Sequence, residues 1–205
     1  MIRDYYKAKA KDYDKLWEQY TAATLSKAMT CLPTSLNGLQ ILDYGCGTGE
    51  LLSKLIEYDP NFGKLVGYDP SDEMLQQAER KLEKVDAEIR KKIELFNSIN
   101  FSNKFDLITT TNAFHYFEDP EEVLLFFREN LKKQGLLIIV DYTKESFPAK
   151  YFEWFIKFMD KAHQRAFYEE EITKLVGNAG FDLISAEKFQ ISQLWKGASV
   201  KAKVS

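Results

Sequence analysis

The sequence LQILDYGCGTGE, at residues 39–50, joins a short apolar run to a loop of alternating glycines and then to an amphipathic segment. The apolar run predicts a strand over Leu39–Asp43, and apolar residues at helical spacing predict a helix over Glu50–Tyr58. Glycines at such a junction allow a tight turn with positive φ and let a ligand approach the backbone without a Cβ in the way. We therefore expect a strand, a glycine loop and a helix, with a ligand site at the loop.

Short apolar runs and amphipathic segments alternate through the rest of the sequence. The apolar runs predict six further strands, at Lys64–Tyr68, Lys92–Phe96, Phe105–Thr110, Leu136–Asp141, Leu183–Lys188 and Ile191–Val200. Further helices are predicted after the N-cap Ser71, after Asp119-Pro120 with Gly135 as the stop, at Tyr151–Phe167 and at Glu169–Ala179. This order predicts an α/β fold, a doubly wound and mostly parallel seven-stranded sheet with helices on both faces.

The length of 205 residues suits one domain. We expect a helical lid segment over 1–37, a cofactor-binding core over 38–142, and a helical cap with terminal strands over 143–205. The composition is ordinary for a soluble globular protein, with a net charge of −3 that offers no general attraction to nucleic acid. No signal-like or membrane-spanning apolar stretch is present, so we expect a cytoplasmic protein. The cysteines Cys31 and Cys46 do not have the spacing of a metal site, and none is expected.

An acidic residue, Asp69, ends the second predicted strand, twenty positions after Gly49. A carboxylate in this place can accept hydrogen bonds from both hydroxyls of a ribose. Because parallel strands end at the same edge of a sheet, the glycine loop and Asp69 should converge on one crevice. The alternative is that the glycines only shape a turn and Asp69 only caps the next helix.

The charges around the loop distinguish between nucleotide cofactors. Asp43 and Glu50 flank the glycines, and two carboxylates repel a pyrophosphate but suit the ammonium and sulfonium groups of S-adenosylmethionine. Glu50 also stands where the dinucleotide fingerprint has its third glycine. A nicotinamide-dependent oxidoreductase is therefore the weaker interpretation.

These motifs resemble the class I S-adenosylmethionine-dependent methyltransferases, which have a Rossmann-like fold, over roughly residues 38–142. The likeness is nearest to the small-molecule branch that includes the quinone-biosynthesis enzymes. The resemblance implies that the first motif holds the methionyl part of the cofactor, that Asp69 holds the ribose, and that the residues after it form a wall beside the adenine. The residues implied for the first motif are Asp43, Gly45, Cys46, Gly47 and Gly49, and those for the wall are Pro70, Ser71 and Met74.

Two segments depart from the family pattern. Where the family often has Gly-Asp-Ala after the third strand, this chain has Phe96-Asn97-Ser98-Ile99, and Asn97 with Ser98 is the nearest counterpart of the adenine-binding site. The loop after the fourth strand, which includes Asn112 as a further expected cofactor contact, lacks the two prolines of the enzymes of this fold that methylate nucleic-acid amino groups. A DNA base is therefore not the expected acceptor.

Two aromatic regions and one histidine are candidates for the reaction itself. His115 is interpreted either as a general base or polar anchor for the acceptor, or as a packing histidine. Tyr13, in the aromatic N-terminal segment, is expected to approach the methionyl carboxylate, with docking of that segment on the sheet edge as the alternative. The aromatic residues of Phe147–Phe167 suggest an apolar or planar acceptor under a helical cap, although ordinary core packing is the favoured explanation for them.

The predicted reaction is an in-line methyl transfer to a small molecule that the sequence does not identify. Such a step depends on alignment and exclusion of water more than on acid–base groups. The rival from another class is a protein that binds the cofactor without catalysis, because binding and transfer are separable. The oligomeric state is not indicated by the sequence.

Overall fold

The computed structural model describes residues 13–99, 104–145, 164–193 and 195–205, without the side chains of residues 13–17 and 19. Its helices are α1 (Tyr13–Cys31), α2 (Glu50–Tyr58), α3 (Asp72–Leu82), α4 (Ala87–Arg90), α5 (Pro120–Asn130) and α6 (Glu169–Asn178), with a 3-10 turn at Phe114–Tyr116. Its strands are β1 (Gln40–Tyr44), β2 (Lys64–Tyr68), β3 (Ile93–Phe96), β4 (Phe105–Thr111), β5 (Leu131–Tyr142), β6 (Phe181–Gln190) and β7 (Lys196–Val204). The predicted α/β class is confirmed.

The seven strands form one sheet in the order β3-β2-β1-β4-β5-β7-β6. The first five strands pair in parallel, and β7 inserts antiparallel between β5 and β6. The order reverses at β1 and β4, which pair through Leu42 and Ile108. A reversal of this kind opens a crevice at the carboxyl ends of the strands, where ligands bind in open α/β sheets.

The core lies on both faces of the sheet because successive side chains of a strand point to opposite faces. Ile41 belongs to the cluster under α1 and α2, together with Leu25 and Leu52, whereas its neighbour Leu42 belongs to the cluster under α5 and α6. All the side chains of β1 from Ile41 to Tyr44 are buried. Burial on both faces explains why Ile41 and Leu42, which point to opposite faces, are both apolar.

The two N-caps predicted from the sequence, Ser71 and Asp119, are confirmed. The Ser71 side chain accepts a hydrogen bond from the Met74 N–H at 3.3 Å, and Asp119 accepts from the N–H groups of Glu121 and Glu122 at 3.0 Å. Pro120 occupies the first turn of α5, where its missing N–H costs nothing. These local signals fixed the starts of α3 and α5.

The prediction that Gly135 stops the preceding helix is wrong. α5 ends at Asn130, because Leu131 is already extended and pairs with Phe105 in the sheet. The register then shifts before Leu136 pairs with Leu107, and Gln134 within this irregular stretch has a φ of 62°. Gly135 is needed for close approach instead, since a Cβ there would lie 2.8 Å from the Lys132 carbonyl oxygen.

The end of the chain also differs from the prediction in its boundaries. β6 extends beyond the predicted strand at both ends, and β7 begins and ends later than predicted, because the two form an antiparallel pair whose register runs from Phe181 opposite Val204 to Gln190 opposite Lys196. Residues 151–163 of the predicted helix Tyr151–Phe167 lie outside the described residues. Phe167, at its predicted end, forms a β-bridge with Thr143. Among the described residues, no helix has the length and apolar character needed to cross a membrane.

Candidate active site

The glycine loop turns sharply between β1 and α2. Gly45, Gly47 and Gly49 have φ values of 83°, 52° and 80°, in the left-handed region that favours glycine. The backbone N–H groups of Gly45 and Cys46 donate to the Tyr68 carbonyl oxygen at 2.7 and 2.9 Å. These bonds hold the loop over the end of β2, and the tight turn with positive φ is the one that the sequence predicted.

Asp69 is bonded to the glycine loop. One carboxylate oxygen accepts the Gly47 N–H at 3.0 Å, and the other accepts the Ser71 N–H at 2.9 Å. The side chain is half-buried, and each oxygen keeps a second lone pair for another donor. The carboxylate therefore both fixes the loop and remains able to accept a hydroxyl group.

A cavity of about 540 Å³ opens at these strand ends. Its walls come from the glycine loop, the ends of β2 and β4, the first turn of α5, and Thr21 and Leu25 of α1. Eight of the expected cofactor residues line it: Asp43, Gly45, Cys46, Gly47, Asp69, Pro70, Met74 and Asn112. The structure thus brings most of the predicted set to one place.

Five of the expected residues are not among the described lining. Ser71 is one of them, and its side chain caps α3 instead. Asn97 and Ser98 are exposed, and the Asn97 side-chain N–H donates to Asp72 at 2.7 Å, outside the cavity. Gly49 is the N-cap of α2, where a Cβ would lie 3.0 Å from Ala78 Cβ, so its smallness serves helix packing. The side chain of Tyr13 lies outside the described residues.

The cavity also has walls that the sequence analysis did not assign to the site. They are the last residues of strands, the residue after the 3-10 turn, or residues in the first turns of α5, and they include Tyr44, Tyr68, Thr111, Phe117, Glu122 and Val123. The position of Tyr44 and Tyr68 at the ends of their strands is a signal that was available in the sequence. No sequence signal indicated which part of α5 reaches the cavity, because that depends on how the helix packs.

The described cavity wall is acidic. It carries six carboxylate side chains, and no lysine, arginine or histidine is among its described residues; the six are Asp43, Glu50, Asp69, Glu118, Asp119 and Glu122. Burial raises the pKa of Asp43 to about 7, although a bond from the Thr109 hydroxyl at 2.9 Å opposes the shift. Burial also raises the pKa of Asp69 to about 6, against the two backbone N–H bonds. A cationic ligand would relieve this accumulation of negative charge.

Glu50 differs from the other carboxylates because it is paired with a cation. Its side chain bonds the ammonium of Lys81, which also donates to the Thr48 hydroxyl at 3.1 Å. Lys81 comes from the last turn of α3, so it ties that helix to the end of the glycine loop. The charge of Glu50 is therefore partly balanced by Lys81.

Asn112 connects the cavity to α1. Its φ of 57° is left-handed, its backbone N–H donates to the Val140 carbonyl at 2.9 Å, and its side-chain N–H donates to the Thr24 hydroxyl at 2.8 Å. Its side-chain oxygen is buried and accepts no hydrogen bond. The neighbouring Thr111 hydroxyl is also buried without a partner. Buried polar atoms are nearly always satisfied, so the Asn112 oxygen indicates a missing donor and the Thr111 hydroxyl a missing hydrogen-bond partner.

His115 is buried beside the cavity, with Asp141 as its partner. The ring nitrogen Nδ1 lies 2.9 Å from the carboxylate, and the backbone N–H of His115 donates to the same group at 3.0 Å. The His115 ring is not among the described residues that line the cavity. It packs on the ring of Tyr116, which does line the cavity, with 3.9 Å between the ring centroids. Sequence reasoning did not identify Asp141, because in the sequence it is only the polar residue that ends an otherwise apolar predicted strand.

This arrangement fits S-adenosylmethionine better than a dinucleotide. Acidic walls suit an ammonium and a sulfonium, Asp69 can accept ribose hydroxyls, and the unpartnered oxygen of Asn112 calls for a donor. A pyrophosphate would meet Asp43 and Asp69 without a described cation on the wall. The chemistry of the site therefore agrees with the charge argument made from the sequence.

Comparison with known proteins also indicates a methyltransferase. A family model described as a methyltransferase domain matches residues 16–186. The chain is 28% identical over 134 residues to a demethylmenaquinone methyltransferase of Thermotoga maritima, covering 64% of this chain and 57% of the relative. It is 30% identical over 102 residues to a tRNA U34 carboxymethyltransferase of Campylobacter jejuni, covering 48% of this chain and 34% of the relative.

A solved structure has the same fold. The magnesium protoporphyrin IX methyltransferase of Synechocystis, with bound SAH, superposes with a TM-score of 0.79 at 16% identity over 100% of this chain and 98% of that chain. At this identity the likeness concerns the fold alone. The chain spans about half the length of the curated relatives it matches. Because the family model covers most of the sequence, the chain belongs to the methyltransferase-domain family of class I S-adenosylmethionine-dependent methyltransferases.

Proposed function

We propose that this chain transfers a methyl group from S-adenosylmethionine to a small-molecule acceptor. The observation that carries the proposal is the meeting of the glycine loop and Asp69 on a cavity lined by carboxylates, with no basic side chain on its described wall. Membership of the methyltransferase-domain family supports the reaction type. Use of this cofactor by this chain and the class of acceptor are both part of the proposal.

The residues have separate tasks in this proposal. S-adenosylmethionine supplies a methyl group made electrophilic by its attachment to a sulfonium. Asp69 accepts the ribose hydroxyls, Met74 and Pro70 pack beside the adenine, and Asp43 balances the positive charge nearby. The turn of Gly45 and Gly47 lets the methionyl part approach the backbone.

The remaining residues align the acceptor and exclude water. Tyr116 and Phe117 contribute aromatic surface to the cavity, and α1 contributes Thr21 and Leu25. Methyl transfer demands a collinear approach more than proton transfer, so packing of this kind supplies much of the needed alignment. His115 acts in the proposal as the base or polar anchor for an acceptor hydroxyl or carbon acid.

A small-molecule acceptor is favoured over RNA by charge. The chain has a net charge of −3, and the described cavity wall presents carboxylates. Both features repel a polyanion, whose binding normally depends on clustered cations. RNA is the acceptor named for one relative, and it is therefore the alternative that an experiment must address.

Calorimetry with S-adenosylmethionine, S-adenosylhomocysteine and NAD tests the cofactor. We expect the two adenosyl amino acids to bind and NAD to bind at least ~100-fold more weakly, because its pyrophosphate meets buried carboxylates. Tight NAD binding, or no binding of either adenosyl compound, would contradict the proposal.

Labelled methyl transfer tests the acceptor class. The protein and S-adenosylmethionine with a radioactive methyl group are incubated with a small-molecule extract or with total RNA, and the label is followed in each fraction. We expect label in small molecules only. Label in RNA would overturn the acceptor assignment, and cofactor binding without transfer to either fraction would favour the non-catalytic binding protein.

A further inference from the structure

Thr24 of α1 does not line the cavity, but it is hydrogen-bonded to Asn112, which does. Its side chain is fully buried, and its hydroxyl accepts from the Asn112 side-chain N–H at 2.8 Å. The two residues are 88 positions apart, so only the folded chain brings them together.

The hydrogen of the Thr24 hydroxyl is already committed within α1. It points to the carbonyl oxygens of Tyr20 and Thr21, each 3.1 Å away. A hydroxyl has one hydrogen to donate, so toward Asn112 it can only accept. The nitrogen end of the Asn112 amide must then face Thr24, and the oxygen end must face elsewhere.

That oxygen is left without a partner. The Asn112 side-chain oxygen is buried and unbonded, in a residue that lines the cavity. The left-handed backbone of Asn112, with a φ of 57°, and its N–H bond to Val140 prevent the residue from turning freely. A buried acceptor without a donor is costly, and a ligand that brings a donor removes the cost.

The charge of the cavity indicates which donor is suited to it. Asp43, on the neighbouring strand β1, is buried and lines the same cavity. The Thr111 hydroxyl beside Asn112 is a second buried polar atom without a partner. An ammonium has three N–H donors for the unpartnered oxygens and a positive charge that attracts the Asp43 carboxylate, so it suits this part of the cavity.

We propose that Thr24 is a positioning residue, which holds the Asn112 amide so that its oxygen accepts a hydrogen bond from the α-ammonium of the methionyl group. The inference rests on the proposed cofactor. It makes α1 part of the cofactor site through a side chain that does not itself touch the ligand.

Binding of two ligands separates this role from a general structural one. S-adenosylhomocysteine has the ammonium, whereas 5′-methylthioadenosine lacks the whole amino-acid part but keeps the ribose and adenine. We expect Thr24→Val to weaken S-adenosylhomocysteine about tenfold, as for a hydrogen bond to a charged group, and to change 5′-methylthioadenosine less than about twofold. Thr24→Ser, which keeps the hydroxyl, should restore affinity.

A matched control is available in the same helix. Thr30 is exposed, and its hydroxyl donates to the Lys27 carbonyl at 2.7 Å, so Thr30→Val removes the same kind of bond away from the cavity. We expect it to bind both ligands as the unmodified protein does. Thermal melting of each variant reports whether it is folded.

A double-mutant cycle completes the test. Asn112→Ala should selectively weaken S-adenosylhomocysteine, and adding Thr24→Val should have little further effect, because the two residues act as one unit. If Thr24→Val does not fold, Asn112→Ala alone gives the ligand comparison. Equal weakening of both ligands, or additive effects, would overturn the inference, whereas failure of the unmodified protein to bind either ligand would overturn the proposed cofactor.

Discussion

His115, in the 3-10 turn that follows β4, and Asp141, near the end of β5, form a buried pair. Nδ1 of His115 lies 2.9 Å from both carboxylate oxygens, and the side chains are 7% and 2% exposed. The Tyr142 N–H also donates to this carboxylate, at 2.8 Å. In a neutral imidazole this arrangement places the proton on Nδ1 and the lone pair on Nε2, as a base requires.

The first prediction concerns that tautomer. In the unmodified protein at pH 8 we expect the His115 proton on Nδ1, and we expect Asp141→Ala to lose this preference because the acceptor is gone. Asp141→Asn should also weaken it, since its amide has one acceptor oxygen where both carboxylate oxygens accept N–H bonds, and its NH2 can donate to Nδ1 instead. Nitrogen-15 shifts of the ring measure the tautomer, with His163→Gln used to assign the signals. An Nε2-protonated ring in the unmodified protein would refute the positioning role of Asp141.

The second prediction concerns His115 itself. Its replacement by alanine should lower turnover at least ~10-fold, which corresponds to about 1.4 kcal/mol in the transition state. Cofactor affinity should stay within a few-fold, because the ring is not among the described lining of the cavity. Steady-state kinetics with the identified acceptor, together with calorimetry, measure both quantities. Unchanged turnover would make His115 a packing residue.

The third prediction concerns Asp69. Both Asp69→Ala and Asp69→Asn should weaken S-adenosylhomocysteine ~30-fold or more, because the charge-assisted bonds to the ribose are lost, and Asp69→Ala also loses the bond to the Gly47 N–H. The matched control is Asp59→Asn. Asp59 also accepts a backbone N–H, from Leu36 at 2.8 Å, but does not line the described cavity.

Calorimetry on these variants separates loss of the site from loss of stability. The control should lose stability without losing affinity. Equal affinity in the Asp69 variants and the unmodified protein would remove the ribose assignment.

The fourth prediction is a pH dependence caused by Asp43. Burial raises its folded-state pKa from 3.8 to about 7, so the folded protein binds this proton more tightly than the unfolded chain does. The resulting stability is present below about pH 4 and is lost as the pH rises to about 7. Asp43→Asn keeps an acceptor for Thr109 without the charge, so it should raise the free energy of unfolding at pH 8 more than at pH 5.

Urea denaturation at the two pH values measures this difference. We also expect Asp43→Asn to weaken S-adenosylmethionine more than S-adenosylhomocysteine, because only the former has the sulfonium charge. A variant that is less stable than the unmodified protein at pH 8 but not at pH 5 would contradict the sign of the effect.

The fifth prediction concerns close packing at Gly45. Its φ of 83° is unfavourable for other residues, and a Cβ would lie 2.5 Å from the Cβ of Ala113 on the opposite cavity wall. Gly45→Ala should lower stability by roughly 1–3 kcal/mol and also weaken cofactor binding, because the wall must move. Gly177→Ala is the control, since a Cβ there meets nothing within 4 Å and alanine favours the helix. Thermal unfolding of both variants should show opposite shifts.

The sequence by itself determined the succession of strands and helices and the residues at the first two strand ends. Apolar spacing, the glycine loop, and the caps Ser71 and Asp119 are local signals, and each acts within a few residues. Asp43 and Asp69 could be assigned to one crevice because parallel strands share an edge. Asn97 and Ser98 were assigned by position alone, and the structure does not bring them to the cavity.

Only the tertiary structure decided which distant groups meet and how deeply they are buried. The bond between Thr24 and Asn112 and the pair of His115 with Asp141 depend on packing across 88 and 26 positions. The antiparallel insertion of β7 and the irregular start of β5 depend on pairing between strands. The raised pKa of Asp43 depends on desolvation, which is a property of the folded interior and not of the residue, and for this reason no local pattern in the sequence could indicate it.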